Sequence, residues 1–321
     1  MSRKPALLRA PTRDYRTMSL DSRRWDSFAP RADDIVIAVH PKCGSTWMQR
    51  IVDLLVFQSP APRQFKATSP ILEAAVGASL DAVLAMLDAQ THRRFLKTEL
   101  PFDSLPVFED VKYIHVVRDG RDACWSMHNH VLGFRPEVQR MRAELAARDP
   151  RFRVRYPSPP HDPRAFFLEW IADAERDDAE GYGFDLPFFG FETTFWRERT
   201  RPNLLFMHYN DLKADLGAEM RRLCDFLDIE VSEAVMPELV AAASFETMKR
   251  QGDEMMPTLH VAFDRGADRF LNQGVNGRWK GVLTAGDLDR YDALVRRKFT
   301  PAQAAWVEHG RAAGDPRTLD D

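Results

Sequence analysis

One stretch, DDIVIAVHPKCGSTW from Asp33 to Trp47, constrains this chain more than any other. The apolar run 35–39 has the length and β-branched content of a buried strand. It stops at Pro41, which cannot continue a ladder. After Lys42, Cys43, Gly44, Ser45 and Thr46, apolar residues at Trp47, Ile51, Leu54 and Leu55 follow a helical period. A strand, a tight polar loop and a helix together aim backbone N–H groups and a helix N-terminus at an anion. Gly44 permits close backbone approach, Lys42 adds a charge, and the hydroxyls of Ser45 and Thr46 add donors. The loop suits a phosphate or sulfate group. Cys43 reads as a small residue filling it, since nothing nearby supplies a general base.

Four strands are expected, at residues 35–39, 94–98, 113–117 and 204–209, with helices at 46–57, 80–88, 121–130, 164–176 and 211–227 between and after them. This alternation predicts an α/β chain with a parallel sheet flanked by helices on both faces, and ligands beyond the carboxyl ends of its strands. Residues 1–32 read as an N-terminal arm, partly ordered, which Trp25 and Phe28 could pin to the body. Residues 33–312 read as a single domain with a long insertion near 131–200, and 313–321 as a C-terminal tail. Within the insertion, 147–164 is rich in Pro and Arg and reads as an excursion or lid. The aromatic residues Phe166 to Trp196 then fit either helix core or the wall of an apolar acceptor pocket.

Composition excludes several classes. With 44% hydrophobic and 29% charged residues, the 321-residue chain is an ordinary soluble globule, and a net charge of −3 gives no case for a nucleic-acid partner. No apolar run nears the roughly 20 residues of a membrane span. The segment MSRKPALLRAPTRDYR lacks the apolar stretch of a secretory signal, though its arginines leave an organelle address open. Cys43, Cys124 and Cys224 are odd in number and widely spaced, which suggests a reducing compartment and no zinc site. The expected location is cytoplasmic, with no metal.

Three segments join the opening loop. FLKTELP delivers Lys97 and Glu99 on one strand face, so a cation and a carboxylate address one cleft. In YIHVVRDGRDACWSMHNH, Arg118 sits where a strand ends and Ser126 lies in the second turn of the next helix; both suit a phosphate. His115, His128 and His130 show no metal spacing and read as structural or surface residues. FLNQGVNGRWKGVLT is a basic loop punctuated by Gly274 and Gly277, able to wrap an anion through its amides.

These segments, in this order, resemble the cytosolic-type sulfotransferases that use 3′-phosphoadenosine-5′-phosphosulfate (PAPS). HPKCGSTW resembles that family's PKSGTTW loop, RDGRDACWS its RxxxDxxxS segment and FLNQGVNGRWK its RKGxxGxWK loop. Details such as WSMHNH look most like bacterial members, including those called glycolipid sulfotransferases. The resemblance implies that Lys42, Cys43, Gly44, Ser45, Thr46 and Trp47 form the 5′ side of a PAPS site. It implies Arg118 and Ser126 at the 3′-phosphate, Tyr209 and Phe245 near the adenine, and Leu271, Asn272, Gln273 and Gly274 in a closing loop. Lys280–Asp289 partly matches the family's dimerisation motif, which implies a homodimer.

Two departures stand out. Asn272 and Gln273 replace the family's Arg-Lys, so a phosphate contact is lost unless Arg269 or Arg278 supplies it. Glu99 replaces the histidine base of KTHLP. The function expected is sulfuryl transfer to a hydroxyl of an apolar or aromatic small molecule or lipid, by in-line displacement. Lys42 and Lys97 would stabilise the leaving phosphate oxygen and Glu99 would take the acceptor's proton. The alternatives are a nucleotide-binding protein without turnover, motivated by those departures, and a P-loop kinase. The kinase pattern wants its lysine after a second glycine, whereas Lys42 precedes Gly44.

Overall fold

Ile35–Ala38 is apolar and buried on both faces, the condition of a strand enclosed by helices. The computed structural model describes residues 4–17, 19–148, 159–175 and 187–321. Its strands are β1 (Leu7–Arg9), β2 (Ile35–Ala38), β3 (Phe95–Thr98), β4 (Val107–Phe108), β5 (Lys112–Val117) and β6 (Leu204–His208). Four of them form a parallel sheet in the order β3-β2-β5-β6, flanked by helices. Ala38 pairs with Thr98 on one side and His115 on the other, and Val117 pairs with His208. This register brings four carboxyl ends to one edge. The loop after each strand therefore opens onto the same space.

The expected strands and most expected helices lie within two residues of their observed ends. The expected helix 211–227 is instead two helices, Tyr209–Ala214 and Leu216–Leu227. Asp215 breaks it: its backbone is non-helical (φ −149°, ψ 87°), and its carboxylate accepts from the Ala218 N–H at 2.9 Å to cap the second helix. The expected helix 164–176 is Pro163–Glu175, with Arg176 outside the described residues. Most of the excursion 147–164 and Phe184 of the aromatic group also lie outside them.

The described aromatic residues of that group are core. Phe166, Phe167 and Trp170 on Pro163–Glu175, and Phe188, Phe189, Phe191, Phe195 and Trp196 on the helix Phe188–Trp196, are all buried. They pack on one another and on the sheet: Trp170 meets Phe188 at 5.8 Å between ring centroids, and Phe195 stacks on His115 at 3.8 Å. His115 in turn lies within 2.9 Å of the Ala38 carbonyl through Nδ1 and of Glu192 through Nε2.

The N-terminal arm runs along the body. Leu7 pairs antiparallel with Phe108, and Trp25 and Phe28 are buried. At the other end, the Trp196 indole donates to Asp321 Oδ1 at 2.8 Å.

Asp34 and Arg94, just before β2 and β3, set the opposite edge of the sheet. Both are at most 2% exposed. Arg94 Nε donates to Asp34 Oδ1 at 2.8 Å and Nη2 to Oδ2, while the Arg31 N–H donates to Oδ2 at 2.8 Å. Removing one partner of such a pair leaves a buried charge uncompensated, at a cost of about 3–5 kcal/mol. Asp34→Ala is expected to lower the unfolding free energy by about that much in urea titration; a loss under about 1 kcal/mol would show that water repays the guanidinium.

Candidate active site

The carboxyl edge opens into a cavity of about 370 Å³. Its first wall is the loop after β2. Lys42 takes a left-handed conformation (φ 71°), and Gly44 follows at φ 115°. A Cβ on Gly44 would stand 3.2 Å from the Tyr209 ring, so this position combines a glycine conformation with tight packing. The helix Ser45–Phe57 begins here. Its first backbone bond runs from Met48 N–H to Gly44 O at 3.0 Å, which leaves the N–H groups of Ser45, Thr46 and Trp47 without intrahelical partners. The Trp47 indole donates to Ala243 O at 2.8 Å.

Arg118 follows β5 and is buried. Its guanidinium stacks 4.1 Å from the Tyr209 ring centre. Nη1 donates to Lys42 O at 3.2 Å, while Nε and Nη2 donate to Asn276 Oδ1 at 3.1 and 2.6 Å. Asn276 also donates to Asn210 at 2.6 Å, and Gly277 N–H donates to Asp122 Oδ1 at 2.7 Å. The glycine loop is thus fastened over Arg118 from three directions. Nearby, Arg121 points away from the cavity, pairing with Asp119 and stacking 4.2 Å from the Trp279 ring centre.

All the sequence-predicted site residues line this cavity except Cys43. The Cys43 side chain turns into the core, where burial pushes its thiol pKa up. The aromatic group 166–196 does not line the cavity among its described members; the apolar wall comes from Trp125, Met127, Met248, Leu259 and Phe270. Sequence reading missed these: Trp125, Met127 and Phe270 lie within the quoted segments but carry no anion-binding chemistry of their own, and Met248 and Leu259 lie outside them. It also missed Asp122 and His130, although Asp122, Ser126 and His130 recur every four residues on the helix Gly120–Leu132, the spacing of one helical face. His130 therefore belongs to the cavity wall, whereas His115 and His128 are structural, the latter 2.9 Å from Pro160 O.

Lysines dominate the floor. Lys42 Nζ lies 3.4 Å from His130 Nδ1 and 4.3 Å from the Phe270 ring centre. Lys97 Nζ pairs with Glu99 Oε1 at 2.7 Å. Among the described lining residues, Lys42, Lys97, Arg118, Lys213 and Arg278 oppose only Glu99 and Asp122. Burial and then Arg118 push the Arg278 pKa down, against the pull of Asp122. Arg269 is turned aside, donating to Asn129 O at 3.2 Å, so Arg278 is the one of the two that faces the cavity. This excess of positive charge in a chain of net charge −3 suits an anion.

Glu73 holds the end of β3 and had no signal in the sequence. It is fully buried, and among the described residues it forms no ion pair. Oε1 accepts from Thr98 Oγ1 and from the Glu99 N–H, both at 2.9 Å, and Oε2 accepts from the Trp25 indole at 3.0 Å. Burial raises its pKa, against the pull of these donors. One carboxylate thereby joins the N-terminal arm to the backbone of Glu99. Among the described residues, no acidic or histidine cluster could hold a metal, and no helix is long and apolar enough to cross a membrane.

Comparison with known proteins gives one consistent set of matches. The family model described as "Sulfotransferase domain" matches residues 32–302. A glycolipid sulfotransferase of Mycobacterium bovis is 33% identical, over 94% of this chain and 96% of its own length. Cytosolic sulfotransferase 1 of Danio rerio is 27% identical over 88% of each. In fold, the chain is similar to a mouse sulfotransferase complexed with PAP (TM-score 0.64, 19% identity, 94% of this chain and 98% of that one). It is also similar to retinol dehydratase in complex with androsterone and inactive cofactor PAP (TM-score 0.65, 18% identity, 88% and 87%).

In Glu73→Gln the amide must turn an N–H toward one of three donors. The mismatch is expected to cost about 1–3 kcal/mol in urea unfolding, and unchanged stability would show that Trp25 or Thr98 finds another acceptor.

Proposed function

The chain belongs to the sulfotransferase family, and we propose that it transfers the sulfuryl group of PAPS to a hydroxyl of an apolar small molecule or lipid. The observation that carries this reading is the shared cavity. It gathers five basic side chains, a helix N-terminus and an apolar wall at the ends of four parallel strands. The mycobacterial relatives are glycolipid sulfotransferases, and both structural neighbours were crystallised with PAP, the product nucleotide. Both facts support a nucleotide donor and an acceptor with a lipid portion.

In this reading Ser45, Thr46 and Trp47 present their N–H groups to the 5′-phosphosulfate, and Lys42 meets the bridging oxygen. Arg118 and Ser126 receive the 3′-phosphate. Arg278 supplies the charge that Asn272 and Gln273 lack. Tyr209, Phe245 and Trp47 flank the adenine. The acceptor lies toward Met248, Leu259 and Phe270, with its hydroxyl beside Glu99, which takes the proton while Lys97 stays near the transferring group. Catalysis is then mostly placement and charge, because negative charge moves to the leaving oxygen as the sulfur changes partners. A nucleotide-binding protein without turnover is the second reading; the Lys97–Glu99 pair favours it, because that lysine engages the carboxylate meant to act as base.

Calorimetric titration with PAP beside a sulfonation assay on phenols, alcohols and glycolipids separates the readings. Binding with turnover supports the transferase; binding without turnover on any acceptor supports the second reading, and preference for ATP with magnesium refutes both. Lys42→Ala is expected to lower kcat by about 10²–10³, the usual cost of one donor at a developing oxyanion. A Cβ on Gly274 (φ 65°) would stand 2.5 Å from the Phe245 ring. Gly274→Ala is therefore expected to weaken PAP binding about tenfold or more, because overpacking of about 1–3 kcal/mol displaces the ring; an unchanged titration would remove Phe245 from the adenine site.

A further inference from the structure

We propose that His130 is a second proton acceptor for the acceptor hydroxyl, acting in the same cavity as Glu99. The proposal rests on the sulfuryl-transfer reading and deepens it, assigning the reaction a base that the strand motif does not contain.

Three observations carry it. His130 shares one helix face with Ser126 and Asp122, and all three line the cavity. Its ring is gripped by Phe134, Phe263 and Phe270, with centroids 4.9, 5.0 and 5.7 Å away, so the imidazole is held in one orientation. The polar edge of that ring faces the reacting region: Nδ1 stands 3.4 Å from Lys42 Nζ. An ammonium only donates, so Nδ1 is the acceptor of this contact and the ring is neutral with its proton on Nε2.

The charges around it make its basicity depend on the nucleotide. Burial, then Lys42, Arg142 and Lys97, hold the His130 pKa well below its ordinary value. When an anion draws the Lys42 ammonium to its bridging oxygen, Nδ1 loses that donor and the anion's charge offsets the cations around the ring. The imidazole then gains proton affinity in the same complex that holds the sulfuryl group. In the step itself, the hydroxyl oxygen forms a bond to sulfur, the sulfur–oxygen bond to the 5′-phosphate breaks, and its electron pair stays on phosphate. The hydroxyl proton passes to His130 Nδ1 or to Glu99. Glu99 is engaged by Lys97 at 2.7 Å, so proton transfer to the carboxylate must first part that ion pair.

The test uses the full chain, PAPS, and a phenol, a long-chain alcohol and a neutral glycolipid as acceptors. His130→Ala and His130→Gln are made alone and with Glu99→Gln, and PAP titration checks that each variant binds nucleotide. Expected is a kcat loss of about 10²-fold for each His130 variant, within the range of general-base removal, and a smaller loss for Glu99→Gln alone. A further loss is expected when the two are combined. Added imidazole is expected to restore kcat in His130→Ala, a response that a packing residue would not show. Wild-type kcat in both His130 variants overturns the proposal, as does a loss that imidazole fails to restore or complete inactivity of Glu99→Gln alone. No turnover by the unaltered chain would overturn the transferase reading itself; normal turnover with unaffected His130 variants removes only this proposal.

Discussion

Like charges crowded at the carboxyl edge of the sheet are the constraint that the rest of the structure serves. Lys42, Lys97, Arg118, Lys213 and Arg278 share one cavity wall, and mutual repulsion would drive them apart without rigid anchors. The anchors are backbone. Arg118 extends β5, Lys97 lies within β3, and Lys42 is fixed by a left-handed turn behind a helix cap. The parallel register of β3, β2, β5 and β6 sets the spacing, and the buried Asp34–Arg94 pair at the far edge ties the starts of β2 and β3.

Among the described lining residues only Glu99 and Asp122 oppose this charge; Glu99 pairs with Lys97, while Asp122 and the nearby buried Glu73 are committed to backbone. Asp122 accepts from the Gly277 N–H, and Glu73 accepts from the backbone of Glu99. Each therefore positions a loop or a strand end more than it neutralises a cation. Their pKa values are both raised, with burial the largest cause, which reflects carboxylates chosen for placement within a poorly hydrated wall.

What was legible in the sequence was local. The loop 42–47, the Arg118–Ser126 spacing and the glycine loop each lie within one short segment, and periodicity alone assigns their strands and helices. What was not legible depends on partners distant in sequence. Glu73 gains its place from Trp25 and Thr98, separated from it by 48 and 25 residues. The aromatic stretch 166–196 reads first as core, yet as a group it also fits a pocket wall, because composition does not say which layer a helix faces; packing on His115 and Phe299 decides it. His130 falls between these cases. Its four-residue spacing from Ser126 was visible, but the lack of metal spacing among the histidines led to a structural or surface reading and away from the helix face.

The contact between Arg118 and Asn276 has a kinetic meaning. The guanidinium fork already holds an amide oxygen of the chain itself through Nε and Nη2. Any anion taken by Arg118 there must share or displace that internal acceptor, so affinity at this corner is the difference between two bonded arrangements. The same acceptor stands ready to reclaim the arginine when the anion leaves. Under the proposed function, residue 276 would act as an internal competitor: a stronger acceptor there would hasten departure of a spent nucleotide, and a weaker one would prolong its stay.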